Sequence, residues 1–196
     1  MIDRRPKERA DAARNRRAIL EATAALLAEH GAEAITMDRV AAAAGVGKGT
    51  IFHRFGNRAG LLHEMVADSA LTLMNAVKEG PPPLGPGAPA GERLVAFFEA
   101  MAWLVINNLE LMAVYRTEPP HPRTAEFHQF WFEHITALLR EARPDLDAEI
   151  VGRLLLDSLA GQTVPDLVRS GETDRVLSAV RALMESVLQV REAPSQ

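Results

Sequence analysis

The 196 residues are 47 % hydrophobic and 24 % charged with no cysteine, a globular composition that excludes disulfides, thiolate catalysis and cysteine-ligated zinc. The net charge of −4 is unevenly spread, since residues 1–58 hold 11 Lys/Arg against 7 Asp/Glu and the rest hold 11 against 19. A basic N-terminal segment on an acidic body is what one phosphate-facing end would produce, and a solvated basic tail would give the same count.

Apolar residues recur at helical spacing and no period-two alternation stands out, so the expected class is all-α. The first helix is expected from Asp11 to His30, ended by Gly31. Thr36 reads as the N-cap of a short helix through Ala44, closed by Gly45. A third short helix spans about Lys48 to Phe55, and Asn57 caps a long fourth helix reaching Glu79. The prolines and glycines of 80–89 form an exposed loop between an N-terminal head and a C-terminal body. The body holds a helix from Gly91 to Asn108, a shorter one around Leu109 to Arg116, and a break at Pro119-Pro120-His121-Pro122. After it come a helix carrying Phe127 to Leu138, one from Asp147 to Leu167 that Pro165 kinks or ends, and a last one from Thr173 to Val190. No apolar run reaches the roughly 18 residues of a membrane span, and the charged first residues lack a signal peptide's apolar stretch. The expectation is a cytoplasmic protein with no membrane partner.

The informative stretch runs from Thr36 to Arg58. It reads as two short helices joined by a tight turn at Gly45, with Val40, Val46 and Ile51 plugging a small shared core. Lys48, Thr50, His53 and Arg54 then point outward. Gly47 and Gly49 leave the start of the second helix almost bare, so its free N–H groups can approach a phosphate or a base edge. Exposed Lys, Thr, His and Arg on one short helix are the contents of a major-groove reading surface. Taken singly, Lys48 and Arg58 are also explained as solvated charges, and Thr36 as a plain helix cap.

The run Ala-Gly-Val-Gly-Lys-Gly-Thr-Ile-Phe-His-Arg-Phe, followed by Asn-Arg-x-x-Leu-Leu, resembles the DNA-binding head of the TetR family of transcriptional regulators. The resemblance implies a head at residues 11–71, with its motif at about 36–55, and a helical ligand-binding and dimerisation body at 72–196. It also implies phosphate contacts from Thr36, Thr50, Phe52 and Arg58. Base reading falls to the positions of Gly47, Lys48 and Gly49, with His53 and Arg54 beside them. Where the family most often has tyrosine this chain has Phe52, so a phosphate-contacting hydroxyl is missing. Arg54 stands where histidine is common and keeps a donor. The basic arm (Arg4, Arg5, Lys7, Arg9, Arg14, Arg16, Arg17) either adds phosphate contacts or is a solvated tail.

In the body, Trp103, Asn107, Arg116, Phe127, His128, Trp131 and His134 are the candidates for a small-molecule pocket, because a few polar groups among many apolar ones make such a site. Ordinary core packing accounts for the same residues. The stripes Ile150, Leu154, Leu155 and Val176, Val180, Leu183, Val187 fit a dimer interface or burial within one chain. His121, His128 and His134 lack the i, i+4 spacing of a helical metal pair, and no catalytic set is present. Neither a metal, a cofactor nor an enzymatic activity is expected. The expected function is a dimeric regulator, a repressor on a near-palindromic double-stranded DNA operator, released by a small-molecule effector. The rival is a helical small-molecule-binding or adaptor protein whose head no longer binds DNA.

Overall fold

The computed structural model describes residues 5–109, 111 and 122–189, and the side chains of 11–109, 111 and 125–189. The regular elements among them are helices: α1 (Arg5–His30), a 3-10 turn (Ala32–Ala34), α2 (Met37–Ala44), α3 (Lys48–Phe55), α4 (Arg58–Glu79), α5 (Ala90–Asn107), α6 (Pro122–Ala142), α7 (Ala148–Ala160), α8 (Thr163–Arg169) and α9 (Thr173–Leu188). They group into two compact units that divide within α4, after Val66. The loop at 80–89 therefore joins α4 to α5 inside the second unit. The expected short helix around Leu109 to Arg116 and the break at 119–122 fall largely outside the described residues.

The first unit is the head. Its core joins Ile19 of α1, Met37, Val40 and Ala41 of α2, Ile51 and Phe55 of α3, and Leu61, Leu62 and Val66 of α4, with Ile35 and Leu111. Small alanines on α2 let its neighbours approach closely. Thr36 caps α2, its Oγ1 accepting the Arg39 N–H at 3.2 Å. Gly45 ends α2 at φ 63°, a left-handed conformation that glycine adopts without a Cβ penalty. Asn57 caps α4, its Oδ1 accepting from Gly60 N–H at 2.8 Å. Helix α1 starts at Arg5 and not at Asp11, since Pro6 lies in its first turn, where no amide donor is needed.

The second unit holds the larger core, built on Phe97, Phe98, Trp131, Ile135, Leu139, Leu155, Leu159 and Met184. The single helix expected from Asp147 to Leu167 is two. The break falls at Gly161-Gln162, and Pro165 sits buried in the first turn of α8, where proline breaks nothing. Asp147 caps α7 through bonds from the Glu149 and Ile150 amides. No helix among the described residues is long and apolar enough to cross a membrane.

Candidate nucleic-acid interface

Helix α3 is fixed on one side and bare on the other. Ile51 and Phe55 are buried in the head core, while Gly47, Lys48, Gly49, Thr50, Phe52, His53 and Arg54 are exposed. Thr36 is exposed at the start of α2. Each residue of the outward set named from the sequence is exposed, apart from Arg58.

Three features govern what that surface can do. Gly47 precedes α3 with no side-chain cap, so no capping side chain competes with an anion for the first amides of the helix. A Cβ on Gly49 would meet nothing within 4 Å, and one on Gly47 would meet only Thr50 Oγ1 at 3.9 Å. Packing inside the head therefore gives no reason for glycine at either position, and their effect is to clear space outside it. Lys48 Nζ is 2.5 Å from Asp38 Oδ1 on α2, an exposed ion pair between the two helices of the motif.

Arg58 makes contacts inside the head that the sequence reading did not name. It is half-buried, and its guanidinium donates from Nε to Ile35 O at 2.8 Å and from Nη2 to Ala32 O at 2.7 Å. It thus ties the start of α4 to the segment entering α2. Phe52 remains 42 % exposed, so it is not a core residue, and it brings an aromatic face without a hydroxyl. Arg16 of α1 adds a tie to Glu64 of α4 at 2.8 Å. The side chains of Arg4, Arg5, Lys7 and Arg9 lie outside the described residues.

In the body, Phe127 and Trp131 are buried and His134 is half-buried. Phe97 joins them, its ring 5.5 Å from Trp131 and 5.1 Å from His134. Burial pushes His134 down to about 4, and the Arg93 guanidinium adds in the same direction. Trp103, Asn107 and His128 are exposed and stand apart from this cluster, while Arg116 and His121 lie outside the described residues. Arg93 and Phe97 are not among the pocket candidates read from the sequence. Their position on the inward side of α5, one turn apart, was the available signal. The two expected interface stripes divide as well. Leu155, Val176 and Val180 are buried in the body core and Val187 is half-buried, but Ile150 (56 %), Leu154 (65 %) and Leu183 (44 %) are exposed. Among the described residues no group of three potential ligands could hold a metal ion.

Residues 19–65, which carry α2, α3 and most of the head core, match the family model described as bacterial regulatory proteins, tetR family. Over those residues the chain is similar to the DNA-binding head of TetR-family transcriptional regulators. It is 27 % identical over 186 residues to the HTH-type transcriptional repressor AcnR of Corynebacterium diphtheriae, covering 88 % of this chain and 90 % of that one. To the AcnR of Corynebacterium efficiens it is 31 % identical over 125 residues, covering 63 % and 60 %. Two solved structures share the fold of this chain. The regulator PfmR of Thermus thermophilus has TM-score 0.59 and 24 % identity, covering 89 % of this chain and 96 % of its own. The fatty acid degradation regulator FadR of Bacillus halodurans has TM-score 0.65 and 18 % identity, covering 91 % and 97 %.

Proposed function

We propose that this chain is a TetR-family regulator, a homodimeric repressor that reads a near-palindromic operator with α3 and leaves it when a small molecule binds the body. The observation that carries the reading is the α3 surface. Ile51 and Phe55 anchor the helix, while Lys48, Thr50, His53 and Arg54 face solvent around a bare glycine start. Lys48 is the long side chain placed to read base edges, and Thr36, Thr50 and the uncapped α3 amides suit phosphate. With few long side chains at the helix start, part of the specificity rests on DNA shape.

Repression as the direction of control is supported by the AcnR relatives, which are named as repressors. Dimerisation is supported by Ile150, Leu154 and Leu183, large apolar side chains that one chain leaves exposed. A two-fold pair would set two α3 helices in successive major grooves, roughly 34–36 Å apart. Because α4 begins in the head and continues into the body, a ligand that favours one position of α4 would change the fit to the operator. Such a ligand must prefer the state that does not bind DNA, since equal affinity for both shifts nothing.

Selection of bound duplexes from a random pool tests this. The expected result is a near-palindromic site whose affinity falls steeply with salt. Absence of any salt-dependent DNA binding would favour the adaptor reading.

A further inference from the structure

We infer that the body binds an apolar carboxylate, with Arg93 of α5 and His134 of α6 as the two groups that hold its anionic end. This deepens the small-molecule reading above and rests on it.

The argument begins with an imbalance of charge. Among the described residues of the body, Arg140 pairs with Glu149, Arg143 with Asp145, Arg169 with Asp166, Arg175 with Glu172 and Arg181 with Glu99. Arg153 lies over the Phe132 ring, 4.4 Å from its centroid. Among the same residues Arg93 has neither a carboxylate nor an aromatic face, although this part of the chain is rich in acids. Its Nε is buried without a hydrogen-bond partner. Buried polar groups of folded proteins are nearly all satisfied, so an orphaned guanidinium nitrogen calls for a specific acceptor.

His134 supplies the second half. Its Nε2 is also buried without a partner. Arg93 stands one turn before Phe97 on α5, and the Phe97 ring lies 5.1 Å from the His134 ring, while burial keeps that imidazole neutral at pH 7. A neutral imidazole protonated on Nε2 is a second donor. One carboxylate placed between them would accept from both, and its charge would pair with the guanidinium as a water would not. The surroundings define the rest of the ligand. Phe130 stacks parallel to His134 with centroids 6.2 Å apart, and Phe97 meets its edge at 5.1 Å. Lys78 places a further cation 4.8 Å from the Phe130 centroid. Aromatic walls beside paired donors suit a hydrocarbon body carrying a carboxylate, and suit a small, fully hydrated anion poorly.

The test is calorimetric titration of the full chain with decanoate and phenylacetate, with decanol as the uncharged control. At least one carboxylate should bind, at least tenfold more tightly than decanol. Arg93→Gln should weaken it at least tenfold with helical content unchanged. In the unmodified chain, the same titration followed by NMR should shift the His134 ring resonances, a readout that needs no folded variant. Failure of both carboxylates to bind, equal binding of decanol, or a titration that leaves His134 unmoved overturns the inference and leaves operator binding by the head untouched. Carboxylate binding at Arg93 with unaltered operator affinity upholds this site and defeats the effector role.

Discussion

Asp38 of α2 and Lys48 of α3 face each other as an ion pair, Oδ1 to Nζ 2.5 Å, across the turn that joins the two helices of the motif. The lysine best placed to meet DNA is therefore already engaged by a carboxylate. An exposed pair of this kind is worth only about 0.2–1 kcal/mol, so a phosphate or a guanine edge can displace it. Its cost falls on every sequence, and only a good base contact repays it in full. Asp38→Asn should raise affinity for unrelated DNA several-fold and narrow the gap to the operator. The gain should be smaller in a Lys48→Ala background. Binding isotherms on operator and scrambled duplexes read both effects, and an equal gain in the two backgrounds would show that Lys48 is not the group restrained.

Arg58 separates two roles that a simple loss of binding would confuse. Both of its observed bonds end on carbonyls of the head, Ile35 O and Ala32 O. Arg58→Met leaves those acceptors unmet, which costs on the order of 1–3 kcal/mol, so thermal unfolding should come earlier. Operator affinity should fall with the slope of log affinity against log salt unchanged. A slope lower by about one would instead place the guanidinium on a phosphate.

Leu154 and Leu183 make the dimer testable without DNA. Both are exposed in a single chain, on α7 and α9. Leu154→Glu should cost the monomer fold almost nothing and convert the dimer to monomer in sedimentation, with operator affinity falling accordingly. A variant that stays dimeric would move the interface elsewhere.

His134 sets an acid limb on stability. In the unfolded chain its imidazole takes a proton near 6.5, and in the folded chain not until about 4. Between those values the unfolded state binds more protons, so this group's contribution falls as pH drops from 6.5 to about 4 and levels off below. Urea unfolding of the parent and of His134→Phe across that range should show a steeper acid loss in the parent. Parallel curves would remove His134 as the cause.

Much of the head was legible because its determinants are local. Thr36 and its cap on Arg39, Gly45 in the left-handed turn, and Asn57 before α4 each act within four residues. The outward and inward sides of α3 follow from helical spacing alone. The bonds that Arg58 makes inside the head were not legible for the opposite reason, since its acceptors lie 23 and 26 residues back and no local pattern announces them. Pro165 misplaced a helix end because proline fits a first turn as readily as it stops a helix. In the body, periodicity marked Leu155, Val176, Ile150 and Leu154 alike. Only packing separates the first two, buried in the core, from the last two, which stay exposed. Arg93 escaped notice because what distinguishes it is a partner it lacks.

Gly49→Ala, measured on the selected operator, tests most directly the claim that the bare start of α3 enters the groove. A Cβ there meets nothing within 4 Å inside the protein, and alanine favours a helix by up to about 1 kcal/mol over glycine. The variant should therefore melt no earlier than the parent and yet bind the operator at least tenfold more weakly, because the methyl occupies space reserved for DNA. Unchanged operator affinity in a stably folded Gly49→Ala protein would contradict the account.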